Sequence, residues 1–143
     1  MLIVNNRPCV ELENFTKDEI ACRCCGEIKL TNRHGVNIQA FSHFLSNKYK
    51  KRIRLFIVTK NSNAGSGYRC PSHNKKSGGV ENSTHTKGEA SDMWTTDIST
   101  PELFKSACEF GCFSTILAYF QNNFIHVDSR NRKNFEVAIV RKN

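Results

Sequence analysis

The chain has 143 residues, of which 38% are hydrophobic and 24% are charged. This length fits one domain with its own hydrophobic core, over 1–143, and this composition excludes general disorder. No stretch is apolar enough to span a membrane and the first residues lack the features of a secretion signal, so we expect a protein made in the cytoplasm, with no membrane partner.

Positive charge dominates the chain. Lysine and arginine number 21 against 13 for aspartate and glutamate, which gives a formal net charge of +8. Such an excess attracts anionic polymers. The basic residues are scattered from Arg7 to Lys142 and form no nucleic-acid-binding module, so we expect no nucleic-acid partner.

The first half of the chain contains signals for two helices and a strand. Thr16 and Glu19 have the spacing of a capping box, which predicts a short helix after Thr16. A second helix is predicted from about 36 to 48, because its apolar residues fall mostly on one face, namely Val36, Ile38, Phe41, Phe44 and Leu45. Segment 52–59 is rich in β-branched and aromatic residues and predicts a strand.

The second half mixes a helix with strands. Pro101 after Thr100, and Gly111 after Phe110, predict a helix over 101–110. Three later segments, near 113–120, 123–129 and 135–141, have strand composition. Because no regular βαβ alternation links these elements, the predicted fold class is α+β.

Seven cysteines, an odd number without a secretion signal, indicate reduced thiols rather than a full disulfide framework. The cluster Cys22, Cys24 and Cys25 suggests a metal site, but a structural zinc site needs four ligands. A fourth could come only from the remaining cysteines, which are Cys9, Cys70, Cys108 and Cys112. We interpret the cluster as thiols without a catalytic role.

A second set of metal-ligand residues lies later in the chain. His85 and Asp92 offer an imidazole and a carboxylate, with Gly88 between them. In a strand over 124–128, His126 and Asp128 would share one face and project together into a site. Two histidines and one carboxylate leave the fourth position of a tetrahedral zinc ion open for water, as catalytic sites require. Taken alone, this spacing favours ordinary surface or core histidines over a metal site.

Three sequence blocks carry a family resemblance. The first is Ser-Gly-Tyr-Arg-Cys-Pro-Ser-His-Asn at 66–74, followed by Gly-Gly at 78–79. The second is Ser-x-His-x-x-Gly-x-Ala-x-Asp at 83–92, and the third is Phe-Ile-His-Val-Asp at 124–128. In this order, within about 15–130, they resemble the M15 peptidases, in particular the D-alanyl-D-alanine carboxypeptidase group.

The resemblance implies the hedgehog/DD-peptidase fold, in which a small, mostly antiparallel sheet is flanked by helices. It also implies one zinc ion bound by His85, Asp92 and His126, although the residue types would accept manganese or cobalt too. Similar cysteine-rich starts occur in relatives, which favours thiols without a catalytic role.

The resemblance also assigns substrate-binding candidates. Arg69 corresponds to a family arginine near the substrate, where a guanidinium could hold a carboxylate or stabilise an oxyanion. Ser83 precedes the first ligand and could bind substrate or orient its loop. Tyr68, beside Arg69, is a weaker substrate-binding candidate, and His73 a minor proton-donor candidate.

At the proton-transfer residue, this sequence departs from the pattern of the family. Several relatives carry an acid a few residues before the last zinc histidine, but 121–125 contains none. Asp128 is the nearest acid and could act as general base or as a partner that orients His126. Of the aromatic residues, Trp94, Phe110, Tyr119 and Phe124 could line a groove, although such residues are more often core.

By resemblance, the chain is expected to be a monomeric zinc metallopeptidase that hydrolyses peptide bonds of bacterial peptidoglycan, as a D-Ala-D-Ala carboxypeptidase or a cell-wall endopeptidase. Without a secretion signal, it would act as a phage or prophage lysin that degrades the cell wall after release. One alternative is a catalytically inactive, zinc-stabilised cell-wall-binding module, which the missing acid before His126 suggests. A basic nucleic-acid-binding protein is the other alternative.

Overall fold

The computed structural model describes residues 2–3, 11–57, 67–76, 78, 83–131 and 134–141. The α-helices in these residues are α1 (Lys17–Ile20), α2 (Asn32–Tyr49), α3 (Pro71–Lys76) and α4 (Thr100–Phe110). The strands are β1 (Leu2–Ile3), β2 (Glu11–Leu12), β3 (Ala90–Met93), β4 (Thr115–Tyr119), β5 (Phe124–Asp128) and β6 (Glu136–Ile139). Short 3-10 turns cover Thr84–Lys87 and Phe120–Asn122.

The larger sheet among the described residues has four strands in the order β3-β5-β4-β6, and β1 pairs with β2 separately. Strand β5 is antiparallel to β3 and to β4, whereas β6 is parallel to β4. Asp128 and Glu136 both lie opposite Thr115, so the chain reverses after β5 and rejoins the sheet beyond β4. The predicted α+β class with a mostly antiparallel sheet is confirmed, and its three later strands lie where they were predicted.

Capping bonds confirm the predicted start of α1 and the predicted end of α4, and α4 starts one residue earlier than predicted. The Glu19 amide donates to Thr16 Oγ1 at 3.4 Å and the Thr16 amide donates to Glu19 Oε1 at 2.9 Å, which completes the capping box of α1. Helix α4 begins after Ser99, whose side chain accepts from the Glu102 amide at 3.2 Å. It ends at Gly111, where the backbone is left-handed with φ of 75°.

Helix α2 is longer than predicted and supplies much of the core. Ile38, Phe41 and Leu45 are fully buried and pack with residues of α4 and the sheet. Val36 was predicted to share this face but is 56% exposed. That prediction was wrong because residue 36 lies two positions from residue 38, about 200° around the helix.

Segment 52–59 was predicted to be a strand. The structure describes 52–57 of it, and over these residues the prediction is wrong. Phe56 makes a single antiparallel bridge with Trp94, with amide-to-carbonyl distances of 2.8 and 2.9 Å. Neighbouring amides bond side chains instead, as when the Arg54 amide donates to Asp97 Oδ2 at 2.6 Å. Side-chain acceptors therefore replace the ladder that propensity alone predicted. The last two residues lie outside the described residues.

No helix in the described part of the chain combines the length and the hydrophobicity that crossing a membrane requires.

Candidate metal site

The three predicted metal ligands come from three neighbouring elements. His85 lies on the 3-10 turn Thr84–Lys87, Asp92 in β3 and His126 in β5. Asp92 and His126 are direct cross-strand partners, which places their side chains on the same face of the sheet. One ligand atom from each of the three residues lies within 4.8 Å of the other two. The structure thus brings together the residues predicted to bind metal.

Gly88 allows the turn that carries His85 to approach the segment before α2. Its backbone is left-handed, with φ of 71°, and a Cβ placed on it would lie 2.6 Å from the Lys29 carbonyl oxygen. The Gly88 carbonyl accepts a hydrogen bond from the Thr31 amide at 3.0 Å. Only glycine satisfies both the left-handed conformation and the close backbone contact.

Hydrogen bonds orient both imidazoles. His85 Nδ1 lies 2.9 Å from the Gly67 carbonyl oxygen, so it donates there, and His85 Nε2 lies 3.4 Å from Asp92 Oδ1. His126 Nδ1 lies 3.1 Å from Asp92 Oδ1, and its Nε2 lies 3.0 Å from Asp128 Oδ2. A nitrogen of each ring therefore faces Asp92, while the other nitrogen is held by a protein acceptor, as in many metal sites.

The charges of this cluster match a bound cation. Burial would raise the pKa of Asp92, but the two neighbouring histidines lower it well below its usual range. Burial lowers the pKa of His126, but hydrogen bonds to Asp128 and Asp92 raise it to about 9. Without metal, His126 therefore holds a proton between two carboxylates. The site favours a positive charge among its donors, and two imidazoles with one carboxylate fit zinc.

Asp128 lies behind His126 rather than on the cleft surface. Its side chain is 0% exposed, and Arg130 donates to Asp128 Oδ2 from Nη2 at 2.7 Å and from Nε at 3.1 Å. Burial raises the pKa of Asp128, yet bonds from His126 and Arg130 lower it to about 2. This placement favours the orienting role, and the general-base role stays a prediction.

A cleft of about 540 Å³ opens over the three ligands. It is lined by Arg69, Ser83, Thr84, His85, Asp92, Leu117, Tyr119, Phe124, His126 and Arg130. Arg69 and Ser83, predicted to bind substrate, are thus in its wall. Tyr68 is only 7% exposed and is not among the lining residues, while the His73 side chain lies outside the described part.

Arg69 is held beside the ligands by its backbone and is partly desolvated. The Arg69 amide donates to the His85 carbonyl at 3.2 Å. Burial lowers the pKa of its guanidinium, although Asp92 and Tyr119 oppose this. Its buried Nε has no hydrogen-bond partner among the described residues. A buried guanidinium nitrogen without an acceptor is suited to an incoming anionic group.

Tyr119 and Phe124 of the cleft wall were groove candidates from the sequence, whereas Arg130 was not. Tyr119 stacks on Phe124 with ring centroids 4.6 Å apart, so these two aromatic residues line the cleft rather than the core. Arg130 was missed altogether, although its position two residues after Asp128 is a signal that it shares that face. Of the other aromatic candidates, Trp94 stacks on Phe56, and Phe110 packs within the core cluster.

His34 of α2 supports the sheet beneath the site. It is fully buried, and its ring nitrogens lie 2.7 Å from Ser129 Oγ and 2.9 Å from Ser91 Oγ. Ser91 and Ser129 flank the site residues Asp92 and Asp128. Burial lowers the pKa of His34 to about 3, so its ring stays neutral at physiological pH.

The fold and the site together define an α+β protein with three convergent ligands that could hold one metal ion in an open cleft. The family model of peptidase M15 matches residues 13–128, which is most of the chain. The chain therefore belongs to the peptidase M15 family, and this membership implies peptidase activity. No curated protein matches the chain.

Proposed function

We propose that the protein is a metallopeptidase that uses one zinc ion, held by His85, Asp92 and His126, to hydrolyse peptides of bacterial peptidoglycan. The observation that carries the proposal is the convergence of these three side chains in an open cleft. Three protein ligands are the number found in catalytic rather than structural zinc sites. When bound, such an ion supplies Lewis acidity that polarises a peptide carbonyl and activates water.

The surrounding residues position the ligands and the substrate. Asp128 accepts a hydrogen bond from His126 Nε2 and so would leave Nδ1, the ring nitrogen on the side of Asp92, to bind the ion. The Gly67 carbonyl performs the same task for His85. Arg69 contributes a partly buried positive charge to the cleft wall, where it could bind a substrate carboxylate or a developing oxyanion.

Charge supports a substrate with anionic groups. Arg69 and Arg130 both line the cleft, and the whole chain carries a net charge of +8. Peptidoglycan is anionic, and its stem peptides end in a carboxylate that a guanidinium can bind in bidentate fashion. We therefore propose carboxypeptidase action on a terminal D-alanine as the first possibility and endopeptidase action on a cross-link as the second.

The first experiment is mass spectrometry of purified peptidoglycan after incubation with zinc-loaded protein, with chelated protein alongside. The His126→Ala variant should release no fragments, because one ligand is lost. His43→Ala is the matched control, since His43 is 56% exposed on α2 and distant in sequence from the cleft residues. Defined peptide fragments from wild type and His43→Ala alone would support the proposal. Equal fragments from chelated protein would refute it.

A pair of model peptides distinguishes carboxypeptidase from endopeptidase action. A stem pentapeptide with a free terminal carboxylate should lose one D-alanine, whereas its C-terminal amide should not. Equal cleavage of both peptides, or cleavage only of cross-linked material, would indicate an endopeptidase instead. Lysis of bacterial cells by externally added protein tests the proposed role as a phage or prophage lysin.

A zinc-stabilised cell-wall-binding module without turnover is the second candidate. It is favoured by one observation: Asp92 is the only carboxylate among the residues lining the cleft in the described part of the chain. A peptidase commonly needs an acid or base within reach of the reacting water. Stoichiometric metal binding and sedimentation with cell walls, without any released fragment, would establish this candidate.

A further inference from the structure

A second cluster of metal-ligand side chains includes Cys70, the residue that follows the cleft residue Arg69. The thiols of Cys22, Cys25 and Cys70 lie within 4.8 Å of one another. The Cys24 thiol lies outside this group of three, and the neighbouring Cys70 and Cys22 thiols raise its pKa. Two segments that are 45 or more residues apart in sequence thus bring three sulfur atoms together, with the Cys24 thiol as their neighbour.

The chain around the first three cysteines forms a tight turn. The Gly26 amide donates to the Cys22 carbonyl at 2.8 Å, and the Cys22 amide donates to the Glu27 carbonyl at 2.8 Å. Gly26 has a φ of 75°, a left-handed conformation that glycine adopts without strain. This reversal directs Cys22 and Cys25, three residues apart, toward the same point, which is the ligand spacing of many zinc sites.

The second segment contributes both a thiol and a hydrogen-bond donor. The Cys70 amide donates to Cys22 Sγ at 3.3 Å. An amide directed at sulfur stabilises the negative charge of a thiolate, which is the form that binds metal. All six cysteines that the structure describes are thiols rather than disulfides. The cluster therefore has the donor atoms, the reversal and the amide contact of a metal-thiolate site.

We propose that Cys22, Cys24, Cys25 and Cys70 bind a second metal ion, a soft divalent cation of the zinc class, in a site made of four thiolates. Four protein ligands fill a tetrahedral ion completely, so this site is structural and leaves no position for water or substrate. Thiolates select zinc over hard cations such as magnesium or calcium. This assignment adds a structural metal ion to the interpretation of the cluster as thiols without a catalytic role.

The site would fix the segment that carries the cleft arginine. The Tyr68 amide already donates to the Ile20 carbonyl at 3.0 Å, and Gly67 packs against Ile20, where an added Cβ would lie 2.8 Å from the carbonyl oxygen. A bond between the metal and Cys70 would attach the other end of this segment to the turn that carries Cys22 and Cys25. The Gly67 carbonyl that orients His85, and the backbone of Arg69, lie within this clamped segment.

The test is metal content and cobalt spectroscopy of the reduced, full-length protein. Wild type should bind two zinc ions per chain, and its Co²⁺ form should show the sulfur-to-cobalt charge-transfer absorption that only thiolate ligands give. Cys25→Ser and Cys70→Ser should each lose one ion and this absorption. His126→Ala should also lose one ion but keep the absorption. Cys108→Ser, at an exposed cysteine on α4, is the matched control and should retain both ions.

A second measurement does not depend on the folding of any variant. Bound zinc should protect the four cluster cysteines of wild type from alkylation, with Cys108 and Cys112 modified freely, and a chelator should abolish the protection. One ion per chain in reduced wild type, with no thiolate absorption and equal alkylation of all cysteines, would overturn the proposal. Loss of peptidase activity with the absorption intact would count against the proposed function alone.

Discussion

Replacing Asp128 with asparagine separates the two roles considered for this carboxylate. Asp128 Oδ2 accepts from His126 Nε2 at 3.0 Å and from Arg130 Nη2 at 2.7 Å, and the side chain is 0% exposed. Asparagine keeps the shape but removes the charge that raises the basicity of His126. If Asp128 orients a metal ligand, its main effect should be on metal affinity.

The expected loss is about 10- to 100-fold in zinc affinity, or about 1.4 to 2.7 kcal/mol, the range found when the carboxylate partner of a ligating histidine is removed. The upper half of that range is expected, because Arg130, whose side chain is 38% exposed, also loses its counter-charge and leaves an unpaired positive charge in the cleft wall beside the ligands. Competition with a chromophoric chelator measures the affinity directly. Asp18→Asn, at an exposed position on α1, controls for the chemical change alone.

A different outcome would refute this reasoning. If Asp128→Asn binds zinc as tightly as wild type while turnover falls by several orders of magnitude, the carboxylate acts on the reacting water and the general-base prediction is correct. If both affinity and turnover match wild type, Asp128 has neither role. Circular dichroism of the variant distinguishes these outcomes from unfolding.

The remaining predictions concern stability and substrate binding. Between pH 6.5 and 4.5 the metal-free protein should lose about 2 to 3 kcal/mol through His34, because the buried ring stays neutral down to its pKa of about 3 whereas the unfolded chain takes up a proton. Urea unfolding at the two pH values measures the loss, and His34→Gln should reduce it. Gly88→Ala should lower the unfolding free energy more than Gly111→Ala, which also has a positive φ but whose added Cβ would make only an ordinary contact, 3.8 Å from the Glu109 carbonyl oxygen; equal losses would contradict the close contact. Arg69→Ala should lower kcat/KM for peptides with a free carboxylate by about 10- to 150-fold, the value of one charged hydrogen bond, and should leave amidated peptides nearly unaffected.

Local signals in the sequence predicted the helix ends well and selected ligand candidates that the fold brings together. Thr16 with Glu19, and Pro101 with Gly111, act through bonds within a few residues, so their effect does not depend on the rest of the fold. The spacing from His85 to Asp92 is likewise local, spanning one turn and the start of β3. Strand alternation offered His126 as the third ligand, and the family resemblance was needed to choose a metal site over ordinary structural histidines.

Features that depend on distant contacts were missed. Strand β3 has the sequence Ala-Ser-Asp-Met, which lacks strand propensity, and it is a strand because it pairs with β5. His34 precedes the predicted helix of 36–48, and no sequence pattern marks it. Only the fold places it between Ser91 and Ser129. The choice of Cys70 as partner of the Cys22 turn likewise required the packing of Gly67 on Ile20.

Because Asp92 of β3 pairs with His126 of β5, metal binding depends on the correct alignment of these two strands. Successive residues of a strand point to opposite faces, so a shift of β3 by one position along β5 would turn Asp92 away from both histidines. A misaligned chain could keep its secondary structure and compactness yet bind no ion at this position. For engineered or evolved variants, zinc stoichiometry would therefore distinguish a correctly aligned sheet from a compact but misaligned one, which circular dichroism cannot do.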